Sequence, residues 1–472
     1  MHWLVTASGR TEEAVDCILN SVEKNRNAEY IRLLHEIFKY GIQGHPYRGY
    51  IILQKNNSPK VSKKFFSGEK RPIWFVFSGL GSQWPAMGKL LMEIPIFAQS
   101  VRKSHDALRS KGLDVIKIIS KDDPQILDNI LNIFVGITAI QIGLVDVLSI
   151  INIRPDGIIG HSVGEIACGY ADGCLTAEQT IMAAYYRGLV LMESGSINGT
   201  MAAVGESYET MKNLIPQEID IACHNGPNSC TLSGPTDIMQ NFIETLQEKN
   251  IFARKVNSAN IPSHSRYIAS RKLPFLSYLK KVIPEPKIRS KKWISTSALE
   301  HNWDNEEVKY CSAEYQSNNF VNPVYFEEGC HHIPDNAITI EIAPHGLLNA
   351  ILKRSLPKTV HNIPLTWKNS ENSVEYLLSA LGQFYEAGGE MELSHLYPEI
   401  EFPVSRSTPM ISPLIKWKYE EQQKPYNMSA NTNQSNERYY TVDPNSEEYN
   451  YLWGHIIGDR NLYPGSGYLV RT

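Results

Sequence analysis

The spacing of apolar positions changes several times along the chain, and each change marks a new part. Between residues 12 and 40, apolar side chains recur at helical spacing, which predicts helices over Glu12–Glu23 and Ala28–Tyr40; an extended run, YRGYIIL, follows. The polar stretch QKNNSPKVSKKFFSGEKR reads as a connector. At Ile73 a short apolar run, IWFVFSG, ends on glycine and predicts a buried strand. Strands and helices then alternate: a helix near 86–112, a long helix over 130–151, a strand DGIIGHS (156–162) and a helix over 176–194. The last of these opens with Thr176-x-x-Gln179, a capping box, and ends before Gly195. Such alternation predicts an α/β core built on a mostly parallel sheet.

At Thr200 the rhythm becomes strand TMAAVG, helix YETMKNLIP, strand IDIACHN, strand SCTLSG, helix TDIMQNFIETLQEKN and strand IFARKVN. That order is β-α-β-β-α-β, a ferredoxin-like subdomain inserted over 199–262. The core resumes after His264, continues through ITIEIAP and closes near Trp367. The parts are then 1–68, 69–368 with its insertion, 369–420 (a helix, then proline-rich extended chain), a Gln/Asn/Ser-rich linker over 421–446, and a last fragment over 447–472.

Composition narrows the class. The 472 residues are 42% apolar and 20% charged, as in globular proteins, and the net charge of −4 offers no basic footprint for nucleic acid. Seven cysteines are scattered without a C-x-x-C pair, which reads as free thiols in a reducing cytoplasm. Cys330, His331 and His332 are adjacent and cannot all face one ion, so no metal site is expected. The N-terminus lacks the pattern of a signal peptide. The apolar segment Ile130–Ile153 is long enough to suggest a membrane span, but Thr138, Gln141, Asp146 and Ser149 fall within about a 140° stripe, which predicts an amphipathic core helix.

Four local patterns carry chemistry. Gly160-His161-Ser162-Val163-Gly164 lies between a predicted strand and a predicted helix, the setting of a nucleophile elbow. There the Val163 amide would face a carbonyl under attack by the Ser162 hydroxyl. Alone, G-x-S-x-G also fits a chance loop. Phe77-Ser78-Gly79-Leu80-Gly81-Ser82-Gln83-Trp84 follows the first core strand, and its Leu80 amide is a candidate second oxyanion donor; alone it is a plain turn. His264, in Asn-Ile-Pro-Ser-His-Ser, is a candidate base, although a lone histidine is more often structural. Arg187 lies inside an apolar helix, where a buried cation needs an anion; the plainer readings are a surface arginine or an internal ion pair.

Together these residues resemble the malonyl-CoA:acyl-carrier-protein transacylases over roughly 72–368. GHSVGE, FSGLGSQW, Arg187, CHNGPNSCTLSG, the SHS histidine, NPVYF and EIAPHGLL stand in that family's order. TASGRTEEAV and YRGYIIL resemble the ketosynthase–acyltransferase linker of animal, insect-like fatty acid synthases, and FPVSRSTPMISPLIKW resembles the segment after the acyltransferase. The resemblance implies an α/β-hydrolase-like core flanked by an α+β linker domain. It implies that Ser162 takes malonyl or acetyl from coenzyme A as an ester, for transfer to the phosphopantetheine of an acyl carrier protein, with no tightly bound cofactor. His264 would be base and then acid, oriented by a backbone carbonyl; Leu80 and Val163 would form the oxyanion hole. Arg187 would grip the malonyl carboxylate, with Gln141 and Ser263 as further substrate-binding candidates. The family commonly has glutamine where Leu80 stands, a change that leaves the working amide in place. Ser263 stands where many malonyl-selective modules carry phenylalanine, leaving room for methylmalonyl.

The final fragment resembles the start of a dehydratase domain. His455 and Pro464 fit H-x-x-x-G-x-x-x-x-P, but Gly458 comes one place early and Asp459 takes the glycine position, which puts the turn in doubt. With seventeen residues after His455, no dehydration is expected. The other two readings are a serine hydrolase or thioesterase, which would want an acid between Ser162 and His264, and a catalytically silent fragment of a synthase.

Overall fold

The computed structural model describes residues 2–54, 58–193, 198–415 and 441–465. They fall into two compact units divided after Ile415.

The first unit opens with strand β1 (Trp3–Gly9), helices α1 (Glu12–Lys24) and α2 (Ala28–Phe38), and strands β2 (Tyr47–Leu53) and β3 (Lys60–Phe65). The three strands form an antiparallel sheet in the order β1-β2-β3. Thr11 and Asn27 cap the two helices by accepting the Ala14 and Tyr30 amides. Two of these strands depart from the sequence reading. β1 was not anticipated, because both faces of this sheet are covered: Val5 and Ile51 pack with α1 and α2, while Leu4, Tyr50 and Ile52 join the main core. Burial on both sides removes the alternation that reveals a strand. β3 lies inside the expected connector; it is a lysine-rich edge strand, whose charges discourage further pairing.

The core follows: β4 (Ile73–Phe77), α3 (Pro95–Arg109), α4 (Ile130–Ile150), β5 (Gly157–Gly160), α5 (Gly164–Ala171) and α6 (Ala177–Met192). The insertion holds β6 (Gly199–Val204), α7 (Tyr208–Met211), β7 (Asp220–Gly226), β8 (Ser229–Pro235), α8 (Thr236–Glu248) and β9 (Ala253–Val256). The chain then supplies α9 (Lys272–Val282), β10 (Trp293–Ile294), α10 (Ala313–Val321), β11 (Val324–Tyr325), β12 (Ile338–Ile342), β13 (His361–Pro364) and α11 (Ser373–Glu386).

The core sheet runs β10-β5-β4-β12-β13, and every pairing is parallel. The α/β class with a parallel sheet is therefore the observed one. The inserted sheet runs β11-β7-β8-β6-β9; its four own strands follow the ferredoxin-like order, and β11 from the core extends it in parallel beside β7.

Helix α6 starts at its capping box, with both Thr176 and Gln179 bonds present. Its predicted end at Gly195 lies outside the described residues. The expected helix near 86–112 begins only at Pro95, after a run of turns. Helix α4 is not amphipathic. It is apolar enough by composition to cross a membrane, yet 83% of its most apolar window is buried within the fold. Its one acid, Asp146, accepts hydrogen bonds from Ser100 and Tyr170, so the polar stripe is neutralised inside the protein. Helix α11 packs against β2: Tyr50 meets Ser379 at 3.1 Å, and Arg48 donates to the Tyr385 and Gly389 carbonyls.

In the second unit, residues 421–440 of the expected linker lie outside the described residues. Residues 456–457 and 460–461 pair antiparallel around Gly458 and Asp459, with φ of 56° and 60°. Positive φ at both central residues makes a hairpin turn of the type that suits strand twist, so the displaced glycine shapes a turn rather than breaking one. The His455 ring meets the Leu462 carbonyl of the same hairpin at 2.7 Å.

Candidate active site

The site is assembled from the carboxyl ends of neighbouring parallel strands. Two residues beyond β5, Ser162 holds φ of 56°, a left-handed conformation that lifts its hydroxyl out of the sheet. The elbow must press closely on the end of β4. A Cβ at Gly164 would stand 2.2 Å from the Phe77 carbonyl oxygen, and one at Gly79 would stand 2.6 Å from the His161 oxygen. Glycine at both places brings the turn after β4 against the elbow. Among the described residues, neither the Leu80 nor the Val163 amide donates to a protein acceptor.

His264 reaches the nucleophile from the exit of the insertion. Its Nε2 is 2.6 Å from Ser162 Oγ, and its Nδ1 is 2.7 Å from the Asn322 carbonyl oxygen. A carbonyl can only accept, so Nδ1 carries the proton and the Nε2 lone pair faces the serine hydroxyl. Burial, and then the charge of Arg187, pull the imidazole down to about 3, which keeps it neutral and able to accept a proton. Among the described residues no carboxylate backs this histidine; the orienting group is the Asn322 backbone, just before β11.

Arg187 projects from α6 and is only 1% exposed. Its Nη2 lies 3.4 Å from Ser162 Oγ, and Nη1 donates to Asn319 Oδ1 at 2.6 Å. The Phe134 and Phe320 rings lie 5.6 and 5.3 Å from the guanidinium carbon. It forms no ion pair among the described residues, and its Nε has no hydrogen-bond partner. Glu165, the carboxylate whose charge supports it, is already held by Trp293, Tyr315 and Thr296. Burial pulls the guanidinium down to about 9. A desolvated cation beside a nucleophile, with donors unused, is arranged for an anionic group on the reacting molecule.

Residues 74–390 match the acyl transferase domain family, and residues 1–52 match the ketoacyl-synthetase C-terminal extension. The chain belongs to the acyl transferase domain family. The highly reducing polyketide synthase anuA of Penicillium roqueforti is 30% identical over 68% of the chain and 16% of its own length. Prosolanapyrone synthase of Alternaria solani is 30% identical over 68% of the chain and 13% of its own length. The chain therefore spans about a sixth or less of the length of these two relatives. Among solved structures, the acyltransferase domain from module 8 of the salinomycin polyketide synthase overlays 84% of this chain and 98% of its own, with a TM-score of 0.69 at 19% identity. The acyltransferase domain of the polyketide synthase PpsC of Mycobacterium tuberculosis overlays 62% of this chain and 91% of its own, with a TM-score of 0.57 at 25% identity. Three of these four are named as polyketide synthases, so they support an acyltransferase of the type found in multidomain synthases and do not single out fatty acid synthesis.

In this acyltransferase the structure brings Ser162, His264, Val163, Leu80, Arg187 and Ser263 into one region. Ser263 is buried beside His264, and its hydroxyl has no hydrogen-bond partner. Gln141 differs from its expected part. Its amide donates to the backbone oxygens of Ser78 at 2.7 Å and Ile342 at 3.1 Å, so its described contacts tie down the turn after β4. His455 lies in the second unit. Four residues escaped the sequence reading as individuals: Phe134, Asn319, Phe320 and Asn322. The last stands in NPVYF, but an orienting carbonyl has no side-chain signature to find.

Proposed function

We propose that this acyltransferase moves malonyl, and more slowly acetyl, from coenzyme A to the phosphopantetheine thiol of an acyl carrier protein. The observation that carries the reading is Arg187: a buried guanidinium without an ion-pair partner among the described residues, 3.4 Å from the hydroxyl of a serine already bonded to a neutral histidine.

The chemistry then divides into two balanced halves. His264 Nε2 takes the Ser162 proton as Oγ attacks the thioester carbonyl, and the developing oxyanion rests on the Leu80 and Val163 amides. Collapse breaks the carbon–sulfur bond, and the departing coenzyme A sulfur takes the proton from Nε2. The carrier's thiol next gives its proton to Nε2, attacks the seryl ester, and leaves with the acyl group as His264 returns the proton to Ser162. Arg187 holds the malonyl carboxylate through both halves, while the carriers are themselves the substrates, so the route calls for no bound cofactor.

A hydrolase reading has less support, because His264 is backed by a carbonyl and the arginine would have no purpose toward a neutral ester. The test is loading with labelled malonyl-CoA followed by a chase with holo carrier protein. Transfer of label to the carrier supports the proposal; release as free malonate with carrier present overturns it.

As to setting, the flanking sequences favour an animal-type fatty acid synthase in the cytoplasm, with ketosynthase and dehydratase domains as neighbours. The fungal relatives favour a second reading, a reducing polyketide synthase. Both use the same transfer. Product analysis of the complete enzyme separates them: a saturated linear acyl chain supports the first, a partly reduced chain the second.

A further inference from the structure

Beneath the turn that carries Leu80 lies a buried polar cluster that the transfer chemistry does not use. Ser78, the first residue after β4, is fully buried, and its hydroxyl donates to Glu341 Oε1 at 2.5 Å. Glu341 sits near the end of the adjacent strand β12 and is 2% exposed. The same Oε1 accepts the Leu348 amide at 2.7 Å, while Oε2 has no hydrogen-bond partner. From the other side, the Gln141 amide holds the Ser78 carbonyl oxygen and the Ile342 carbonyl oxygen. The Trp84 indole reaches over to the Pro344 carbonyl at 2.7 Å, and Leu347 lies 3.3 Å from where a Cβ on Gly81 would stand.

Glu341 has no ion-pair partner among the described residues, and a buried carboxyl without one is costly, so its retention needs a structural return. Here that return is specific. A turn with glycines at 79 and 81 has little side-chain packing of its own to fix it, and φ of 103° at Gly81 is open to many conformations. Within the turn, the Ser82 hydroxyl donates to the Gly79 carbonyl at 2.8 Å and the Gly81 amide donates to Gln83; the Ser78 hydroxyl and carbonyl, one residue earlier, are both clamped and fix where that turn leaves the sheet.

We propose that Ser78 and Glu341, with Gln141, are positioning residues for the oxyanion-hole amide of Leu80. Resting on the acyl-transfer reading above, the inference adds what aims one of its two donors. The Ser78 and Leu348 bonds both fall on one oxygen of Glu341, so neutral glutamine can reproduce them, while the Leu347 and Asn349 amides beside them also favour the carboxylate. Burial already pushes the carboxyl up to about 7, so the site tolerates a neutral group.

The experiment measures per-site kcat and KM for malonyl-CoA with carrier protein, using the acyl-enzyme burst to count active sites. Wild type, Ser78→Ala, Glu341→Gln, Glu341→Ala and the double variant Ser78→Ala/Glu341→Ala are compared. Losing one oxyanion donor outright costs about 10²–10³ in kcat, so a misaimed donor should cost roughly tenfold to a hundredfold. Ser78→Ala should show that loss with KM within about twofold of wild type, since the contact matters only as charge develops. Glu341→Gln should stay within about threefold of wild type, and the double variant should be no slower than its slower parent. A role in folding alone would lower the burst amplitude and leave the per-site rate intact. Ser78→Ala with wild-type kcat, a loss confined to KM, or a Glu341→Gln as slow as Glu341→Ala would overturn the inference. Should Glu341→Ala fail to fold, Ser78→Ala and Glu341→Gln decide. Failure of the wild type to load malonyl would instead strike the functional reading.

Discussion

Replacing Arg187 with methionine keeps a long side chain between Phe134 and Phe320 while removing the charge. In the wild type the guanidinium is 1% exposed, its Nε has no partner and its Nη2 lies beside Ser162, so on the proposed reading it would meet the malonyl carboxylate away from water. A hydrogen bond to a charged group contributes about 1.5–3 kcal/mol, and 1.36 kcal/mol is tenfold, so malonyl should lose roughly tenfold to 150-fold in kcat/KM relative to acetyl. Acetyl has no carboxylate to lose and should change little. A second signature follows from the histidine. The Arg187 charge is the second cause, after burial, holding His264 low. Removing it raises the imidazole's pKa, so the acid limb of kcat/KM, which reports the free enzyme, should move to higher pH. The assay is competition between malonyl-CoA and acetyl-CoA across pH, with a thermal melt to confirm folding. Equal losses for the two donors, with an unmoved acid limb, would show that Arg187 serves packing only.

His264→Ala should slow acyl loading by about 10²–10⁴-fold, read by quenched-flow labelling; an unchanged rate would remove the imidazole from the mechanism. Gly79→Ala should nearly abolish transfer while the protein still folds, because its Cβ would stand 2.6 Å from the His161 carbonyl oxygen and push the two oxyanion donors apart; wild-type turnover would contradict that approach. Stability should fall on acidification below about pH 6.5 and continue falling to about pH 4. Buried His35 is held down to about 4 by burial, against the pull of its bond to the Leu4 carbonyl, so the unfolded chain binds the extra proton throughout that window. His35→Gln should lower that slope in urea titrations, leaving the share that the likewise depressed His264 contributes; an unchanged slope would take His35 out of it. Ser263→Phe should narrow donor choice toward malonyl and away from methylmalonyl, by about 1–3 kcal/mol, in a two-substrate competition.

Much of this arrangement is legible in the residues. The order of elements from Ile73 to Trp367 follows from apolar runs of strand length alternating with helical spacing, and the elbow from glycines that a close turn demands. What escaped has physical causes. β1 shows no alternation because both its faces are covered. β3 is polar because it is an edge. Helix α4 carries a polar stripe that reads as amphipathic, yet Asp146 finds its partners inside the protein. In the site, side chains with their own chemistry, such as Ser162, His264 and Arg187, could be named from their settings. Groups acting through the backbone, such as the Asn322 carbonyl, and residues acting through another, such as Ser78 and Glu341, carry no mark until the strand ends are placed side by side. Gln141 was found as a polar residue in an apolar helix, but its contacts lead to the turn rather than outward.

The most direct test is the covalent intermediate itself. The purified chain is mixed with malonyl-CoA in the absence of carrier protein, quenched in acid, and digested for peptide mass spectrometry. One malonyl group should appear as an ester on the peptide containing Ser162, disappear on addition of holo carrier protein with the group recovered on the carrier's thiol, and be absent in Ser162→Ala. Malonyl retained in that variant, or an adduct mapped to another residue, would contradict the account at its centre.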